Sequence, residues 1–259
     1  MIRGFFTFFA FMALPFFYVK ILTGTSLVLD EDTSRHITGV LRMKVGEPIL
    51  LTNGKGTKAQ ATITDDHRKR CAVRIDATEV EAKKTPQVCI AISLVKNAAR
   101  FEWFLEKATE IGVSEIIPLL CERTEKEKFR HDRMQAILVS AMLQSQQSWL
   151  PILHEPTPYK DVVATATQQR KFIAHCLPHQ KQNLHDVLKN FDGNDRIILI
   201  GPEGDFTETE IEQALAKNFL PVALGDTRLR TETAGIVAAA YLTPALSKGE
   251  GVYDNLIFE

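Results

Sequence analysis

Two stretches of this 259-residue sequence set residue types that could do chemistry at spacings that would place them around a ligand. The first is Ile197-Ile198-Leu199-Ile200-Gly201-Pro202-Glu203-Gly204-Asp205-Phe206-Thr207. An apolar strand runs into a Gly-Pro-Glu-Gly turn, and a helix is expected from Thr207 to Asn218, with Glu210 placed for a capping box. In open α/β sheets ligands bind beyond the carboxyl ends of strands, where such a turn lies. Gly201 and Gly204 permit close backbone approach, and Glu203 offers a carboxylate at the rim. The same stretch also reads as a plain strand-to-helix turn. It is not a phosphate loop, since it lacks the Lys-Ser/Thr ending and the three-glycine spacing of the nucleotide fingerprints. Backbone groups and a carboxylate suit a nucleoside bearing a positive centre better than a polyphosphate. The second stretch runs from Ala223 to Gly235: a strand ends at Leu224-Gly225, and Arg228 and Arg230 precede a helix rich in small residues (Ala234, Gly235, Ala238, Ala239, Ala240). Small side chains allow close packing, in a tight core or at a subunit interface.

The elements that must hold these stretches change character near Thr85-Pro86. Upstream, short apolar segments are punctuated by turns. Strands are expected at Pro15–Val19, Val45–Leu51, Lys58–Ile63 and Cys71–Ile75, and a helix at Thr33–Leu41, capped by Thr33 or Ser34. Asn53-Gly54-Lys55-Gly56 is a hairpin signal, and Asp65-Asp66-His67 a turn. Together they suggest a small β-barrel over residues 12–84. From residue 85 to 259, strands (88–94, 115–120, 171–174, 196–200, 220–224) alternate with helices (100–111, 132–147, 207–218, 233–246). That rhythm implies a mainly parallel sheet covered on both faces.

Composition is that of a globular protein, 45% hydrophobic and 24% charged, with a formal net charge of -1, so no global basic field advertises nucleic acid. The four cysteines, Cys71, Cys89, Cys121 and Cys176, form no CxxC pair; no metal site or disulfide framework is expected, and reduced thiols point to the cytoplasm. Ile2 to Tyr18 has the basic start and apolar run of a secretory signal, but Pro15 interrupts it and no A-x-A site follows. It is also too short to span a membrane comfortably, so no membrane partner is expected. Met12 is the expected functional start and residues 1–11 an upstream extension.

Gly201-Pro202-Glu203-Gly204 paired with Leu224-Gly225 and Leu229-Arg230-Thr231-Glu232-Thr233-Ala234 resembles the RsmE family, the 16S ribosomal RNA uracil-N3 methyltransferases of the SPOUT superfamily. Ser93-Leu94-Val95-Lys96, Lys107-Ala108-Thr109-Glu110-Ile111-Gly112-Val113 and Ile117-Pro118 are similar to its first strand, helix and second strand. Arg35-His36, Val40-Leu41-Arg42 and Gly54-Lys55-Gly56 are similar to its PUA-like RNA-binding barrel. The similarity covers nearly everything from about Leu14 onward. It departs from the family at Arg35 (usually histidine), at Leu143-Gln144-Ser145 with Gln147 (usually Glu-Gln-Ser and a following arginine), and at Thr227 (usually arginine). These departures concern RNA contacts more than the cofactor loops.

The resemblance implies an α/β fold of the SPOUT type, a mainly parallel sheet with a C-terminal trefoil knot, preceded by the PUA-like barrel; general rules alone would have implied an unknotted sheet. It implies S-adenosyl-L-methionine bound by Leu177, Ile200, Gly201, Glu203, Gly204, Leu224, Gly225, Leu229, Thr231 and Ala234, and a homodimer packed across the same loops. For N3 methylation of a 16S ribosomal RNA uridine, Arg230 or its neighbour Arg228 would stabilise negative charge on the uracil carbonyls. Glu232 or Glu203 would accept the proton, although Glu232 could equally serve only to cap the last helix. RNA would meet the barrel through Arg35, Arg42, Lys44, Lys58, Arg68 and Arg70, with Lys55 and Lys69 as further candidates. Two alternatives stay open: a SPOUT enzyme acting on another RNA or on a ribose 2'-hydroxyl, and a non-catalytic RNA-binding or ribosome-assembly protein.

Overall fold

The computed structural model describes residues 14–125, 128–177, 181–189 and 195–243. Its described residues fall into two compact units: those up to Ala82 with Gln146–Ser148, and Lys83–Ser145 with those from Trp149 onward. No helix among them is long and apolar enough to cross a membrane.

The first unit contains β1 (Phe16–Tyr18), β2 (Ser26–Val28), α1 (Glu31–Arg35), a π-helical turn (His36–Val40), β3 (Pro48–Thr52), β4 (Thr57–Asp65) and β5 (Ala72–Val80). The strands form one sheet in the order β1-β3-β4-β5-β2, and β4 and β5 pair with two register shifts. Period-two burial puts Ile49, Leu51, Ala59, Ala61, Ile63 and Val73 on one inner face with Ile37. The β3–β4 turn forms because Asn53 Oδ1 accepts from the Lys55 and Thr57 amides, while Gly54 and Gly56 take positive φ. The expected helix at 33–41 differs in two ways. Asp30 is the cap, accepting from the Thr33 amide at 2.8 Å, and the helix widens into the π turn after Arg35. Ile37, Thr38, Gly39 and Val40 are weak helix formers, which accounts for the loss of regular α geometry there.

The second unit contains β6 (Val88–Ser93), α2 (Ala98–Ile111), β7 (Glu115–Leu120), α3 (His131–Gln144), β8 (Ile152–Leu153), β9 (Thr157–Pro158), α4 (Tyr159–Thr165), β10 (Arg170–Ala174), β11 (Gln182–Asn183), α5 (Leu184–Leu188), β12 (Arg196–Ile200), α6 (Glu208–Ala216), β13 (Leu220–Ala223) and α7 (Thr231–Leu242). Its sheet runs β11-β13-β10-β12-β6-β7-β8, with β9 beside β7, and every pairing is parallel. Alternate residues separate cleanly. Val88, Ile90, Ile92, Phe172, Ile198 and Ile200 pack toward α2, α3, α5 and α7, while Cys89, Ala91, Ile173, Ile197 and Leu199 pack toward α4 and α6. Burial on both faces explains why these strands are continuous apolar runs rather than alternating ones.

Four helices differ from expectation in their bounds. α6 runs Glu208–Ala216 rather than 207–218, with Thr207 as its N-cap and Asn218 at φ 63°. α3 stops at Gln144, three residues early, where Gln146 adopts φ 57°. α7 starts at Thr231, two residues early, because Arg230 stands in extended geometry at its N-cap; its expected end at Leu246 lies outside the described residues. α2 starts at Ala98, where the Asn97 side chain accepts from the Ala99 amide. α4 and α5, at five to seven residues, are too short to leave a periodic signature.

Gly235 lies where α7 crosses β6 and α2. A Cβ there would come within 2.7 Å of both Ile92 Cδ1 and the Phe104 ring, each fully buried. Gly235→Ala should therefore lower stability despite the helix-propensity gain of about 1 kcal/mol, since overpacking a rigid core costs typically 1–3 kcal/mol. Urea unfolding would read this as a lower midpoint at unchanged m-value.

Candidate functional site

The parallel strands all present their carboxyl ends on one side, and there a cavity of about 520 Å³ opens over β10, β12 and β13. Its apolar lining comes from strand ends and the segment after β13: Ala174, Ile200, Val222, Leu224, Leu229 and Ala234. Carboxylates enter from Glu203, Asp205 and Asp226, and cationic groups from Lys181, Arg228 and Arg230.

Hydrogen bonds from other segments fix the turn after β12. The Gly201 carbonyl accepts from buried Thr231 Oγ1 at 3.0 Å, tying the turn to the start of α7. The Pro202 carbonyl accepts from the Asp205 amide at 2.9 Å. The Glu203 carbonyl accepts from Arg228 Nη2 at 3.4 Å, and the Gly204 carbonyl from Arg123 Nη1 at 2.7 Å. The capping box expected at Thr207 and Glu210 is present. Buried Glu210 goes further, accepting from the Glu122 amide at 2.9 Å and so holding the loop after β7 against the same turn.

Of the residues expected at the cofactor, Ile200, Gly201, Glu203, Leu224, Gly225, Leu229, Thr231 and Ala234 line the cavity, together with Arg228 and Arg230. Three expected site residues are not among the lining. Gly204 turns its carbonyl to Arg123, whose stem packs where a Cβ would project. Leu177 packs against the apolar cluster beneath α4 and α6, and its carbonyl accepts from Lys181 Nζ at 3.0 Å. Glu232 is buried in the first turn of α7, with one oxygen 3.7 Å from Arg100 Nε and the other without a hydrogen-bond partner. The guanidinium of Arg230, exposed at the cavity, has no ion-pair or hydrogen-bond partner among the described residues, whereas that of Arg228 donates to the Glu203 carbonyl.

The resemblance pointed to the loops after Ala174 and at Leu224 to Ala234 as segments without singling out His175, Cys176 or Asp226; Lys181 and Asp205 at the cavity and Arg123 behind it were missed. The sequence carried one signal for Asp205, its place directly after the Gly-Pro-Glu-Gly turn. Arg123 lies 81 residues from its partner, and nothing local announces it.

Among the barrel cations, Arg35 pairs with Glu31 at 2.7 Å and Asp32 at 3.5 Å, Lys44 with Asp66 at 3.4 Å, Lys58 with Glu81 at 3.4 Å and Lys69 with Glu31 at 3.5 Å. Lys55, Arg42, Arg68 and Arg70 are exposed and have no ion-pair partner among the described residues. Arg42 holds φ 58°, which projects it from the end of the π turn.

A doubly covered parallel sheet with a ligand-sized cavity at its strand ends, following a small β-unit, defines a class: an α/β ligand-binding domain preceded by a small β-module. The chain belongs to the RNA methyltransferase family: the model for the RNA methyltransferase domain matches residues 82–243, and that for the RNA methyltransferase PUA domain matches residues 29–76. The ribosomal RNA small subunit methyltransferase E of Synechocystis sp. is 31% identical over 225 residues, covering 85% of this chain and 74% of that protein. A probable rRNA-methyltransferase from Porphyromonas gingivalis superposes with TM-score 0.83 at 36% identity, covering 90% of this chain and 98% of that one. The small subunit methyltransferase E of Neisseria gonorrhoeae, crystallised with S-adenosyl methionine, does so with TM-score 0.79 at 27% identity, covering 90% and 98%. Its architecture is thus the expected one of the SPOUT methyltransferases, with a PUA-like N-terminal module.

The thiols offer a direct check on this arrangement. Burial pushes Cys121 up to about 12 and Cys71 to about 11, and raises Cys89 well above the ordinary thiol range; Cys176 alone is exposed, at the cavity. A thiol reagent at neutral pH should modify one cysteine per native chain, Cys176, and all four after denaturation. Rapid modification of a second thiol in the native protein would contradict the burial pattern.

Proposed function

We propose that this protein transfers a methyl group from S-adenosylmethionine to N3 of a uridine in 16S ribosomal RNA. The observation that carries the reading is the cavity over β10, β12 and β13, where an uncommitted arginine faces a pocket of apolar and carboxylate groups. Its volume lies within the range of roughly 300–1,000 Å³ usual for small-ligand sites. Apolar Ile200, Val222, Leu224 and Leu229 would take an adenine ring and the methylene stem of the methionine part, and Glu203 and Asp226 suit a ligand with cationic centres. The group therefore fits the residues present.

S-adenosylmethionine, when bound, supplies a methyl group already activated on a cationic sulfur. What remains for the chain is to position the uracil and to favour its N3 anion, the better nucleophile. Arg230 is the residue for the second task, because its guanidinium has no competing partner among the described residues and can donate to a uracil carbonyl as negative charge develops. Arg228 braces the Glu203 carbonyl and shapes the rim. Glu203, exposed at that rim, is the better-placed proton acceptor; Glu232 is buried beside Arg100 and makes no capping hydrogen bond at the start of α7 among the described residues.

Further parts of the reading follow from the same frame. The domain division is a PUA-like module over 12–84 and a methyltransferase domain over 85–259. Return of the chain from β12 past β10 to β13, with α7 then packed on β6 and β12, supports a trefoil knot in this region. α7 buries Gly235, Ala238, Ala239 and Leu242 and leaves Ile236, Val237, Ala240 and Tyr241 half-exposed, an apolar second face that supports a homodimer. Site of action is the cytoplasm, where the small ribosomal subunit is found.

The deciding experiment is methyl transfer from labelled S-adenosylmethionine to small subunits lacking their native methylation, followed by digestion and mass analysis of the nucleosides. N3-methyluridine is expected; a 2'-O-methylated ribose or transfer only to other RNAs would overturn the substrate, and cofactor binding without any transfer would favour an assembly factor. Arg230→Ala should lower kcat by about 10²–10³ with little change in cofactor affinity. An equal loss in both would remove Arg230 from catalysis.

RNA affinity is assigned to the unpaired cations Arg42, Arg68 and Arg70 rather than to the paired Arg35, Lys44 and Lys58. Filter binding across a salt series should show the slope of log K against log salt falling by about 1 for each alanine substitution that removes a phosphate contact. Equal effects at Arg35 and Arg68 would contradict this ranking.

A further inference from the structure

We propose that Asp205 is a positioning residue whose carboxylate joins the loop after β10 to the turn after β12 and so fixes the wall of the cofactor cavity. The inference rests on reading that cavity as the S-adenosylmethionine site.

β10 and β12 are neighbouring parallel strands whose pairing ends at Ala174↔Ile200. Beyond that point no ladder holds the two chains together. Asp205 takes over: its Oδ2 accepts from the Cys176 amide at 2.7 Å, while Oδ1 accepts from the Phe206 amide at 2.9 Å. Cys176 and Asp205 both line the cavity. The carboxylate thus bridges two cavity walls with charge-assisted bonds, stronger than those between neutral partners.

Asp205 performs this from φ 64°, the left-handed region that disfavours a residue carrying a side chain. Glycine would occupy the position without that cost, so the side chain must return more than the backbone gives up. Its own amide closes the turn on the Pro202 carbonyl, which a glycine would also do. The turn is therefore separable from the bridge: Asp205→Gly keeps the backbone conformation and deletes only the carboxylate. Asp205→Asn also tolerates φ 64° and retains one acceptor oxygen for two amide donors.

Lys181 holds the same peptide through its carbonyl, donating to the His175 carbonyl at 2.9 Å, and it also donates to the Leu177 carbonyl at 3.0 Å. With the His175–Cys176 peptide held through its carbonyl by Lys181 and through its amide by Asp205, the residues Ala174–Cys176 form a fixed surface for a ligand. Releasing Asp205 would cost the ligand the ordering of that surface at the moment it binds.

Cys176 is an internal reporter. It is the one exposed thiol of four, and its own amide is the group Asp205 holds. Three quantities would be compared in the full-length wild type, Asp205→Gly and Asp205→Asn: equilibrium binding of S-adenosylmethionine, the rate of Cys176 labelling with and without it, and KM and kcat on small-subunit RNA. Asp205→Gly should raise both Kd and KM for S-adenosylmethionine about tenfold, as expected for loss of one charge-assisted hydrogen bond. Its kcat at saturating cofactor should stay within about twofold of wild type, the signature of lost ground-state positioning. Cys176 should label faster, with Asp205→Asn between the two and all three proteins melting alike. Unchanged Kd and labelling rate, or a fall in kcat at unchanged KM, would overturn the proposal. Failure of wild type to bind S-adenosylmethionine would overturn the cofactor reading and this role with it, while a labelling difference would still register the loop bridge.

Discussion

Every carbonyl of the turn Gly201–Gly204 is claimed by a donor from elsewhere or from the turn's own end: Thr231, Asp205, Arg228 and Arg123 in order. A turn at the end of a buried strand cannot leave such groups unsatisfied without a penalty comparable to a lost hydrogen bond each. Satisfying them with four donors from three segments makes the turn the point where the chain after β7, β12 and β13 is tied together. The cavity is a consequence of that constraint. Its walls stand apart because their backbones are bonded to side chains rather than to one another.

The sheet beneath has a complementary logic. Period-two burial gives β6, β10 and β12 two apolar faces, one under α2, α3, α5 and α7 and one under α4 and α6. With both faces spent on packing, the strands can offer chemistry only at their ends. Parallel pairing gathers those ends on one side, so that Ala174, Ile200 and Ala223 open into the same space. Gly235 serves this geometry from below, letting α7 approach β6 closely enough to bring Arg230 and Thr231 to the cavity.

Charge is distributed differently in the two units. At the cavity it is local and directional: Lys181, Arg228 and Arg230 stand with the three carboxylates of Glu203, Asp205 and Asp226. On the β-module the described cations divide evenly: Arg35, Lys44, Lys58, Lys69 and Arg74 neighbour carboxylates, and Lys20, Arg42, Lys55, Arg68 and Arg70 are exposed without an ion-pair partner among the described residues. Exposed ion pairs contribute little to stability, so the pairing of Arg35, Lys44 and Lys58 says more about which cations remain available for phosphate than about what holds the module together.

Sequence alone determined the parallel sheet, the module before it, the β3–β4 hairpin, the Thr207 cap and the two loops that line the cavity. These are legible because each rests on contiguous residues: an apolar run of strand length, a capping box at fixed spacing, glycines where a turn needs them. Only the tertiary structure decided which charged groups serve the site. Glu203 and Glu232 are equivalent by residue type, yet the fold leaves one exposed at the rim and buries the other beside Arg100. Arg228 and Arg230 are two residues apart, and only the carbonyl of Glu203 distinguishes them. Asp205 and Cys176 are 29 residues apart in the chain and meet only because β10 and β12 are neighbours. Hydrogen bonds of that kind depend on strand order, and strand order is set by how the whole sheet buries its two faces, which no local pattern records.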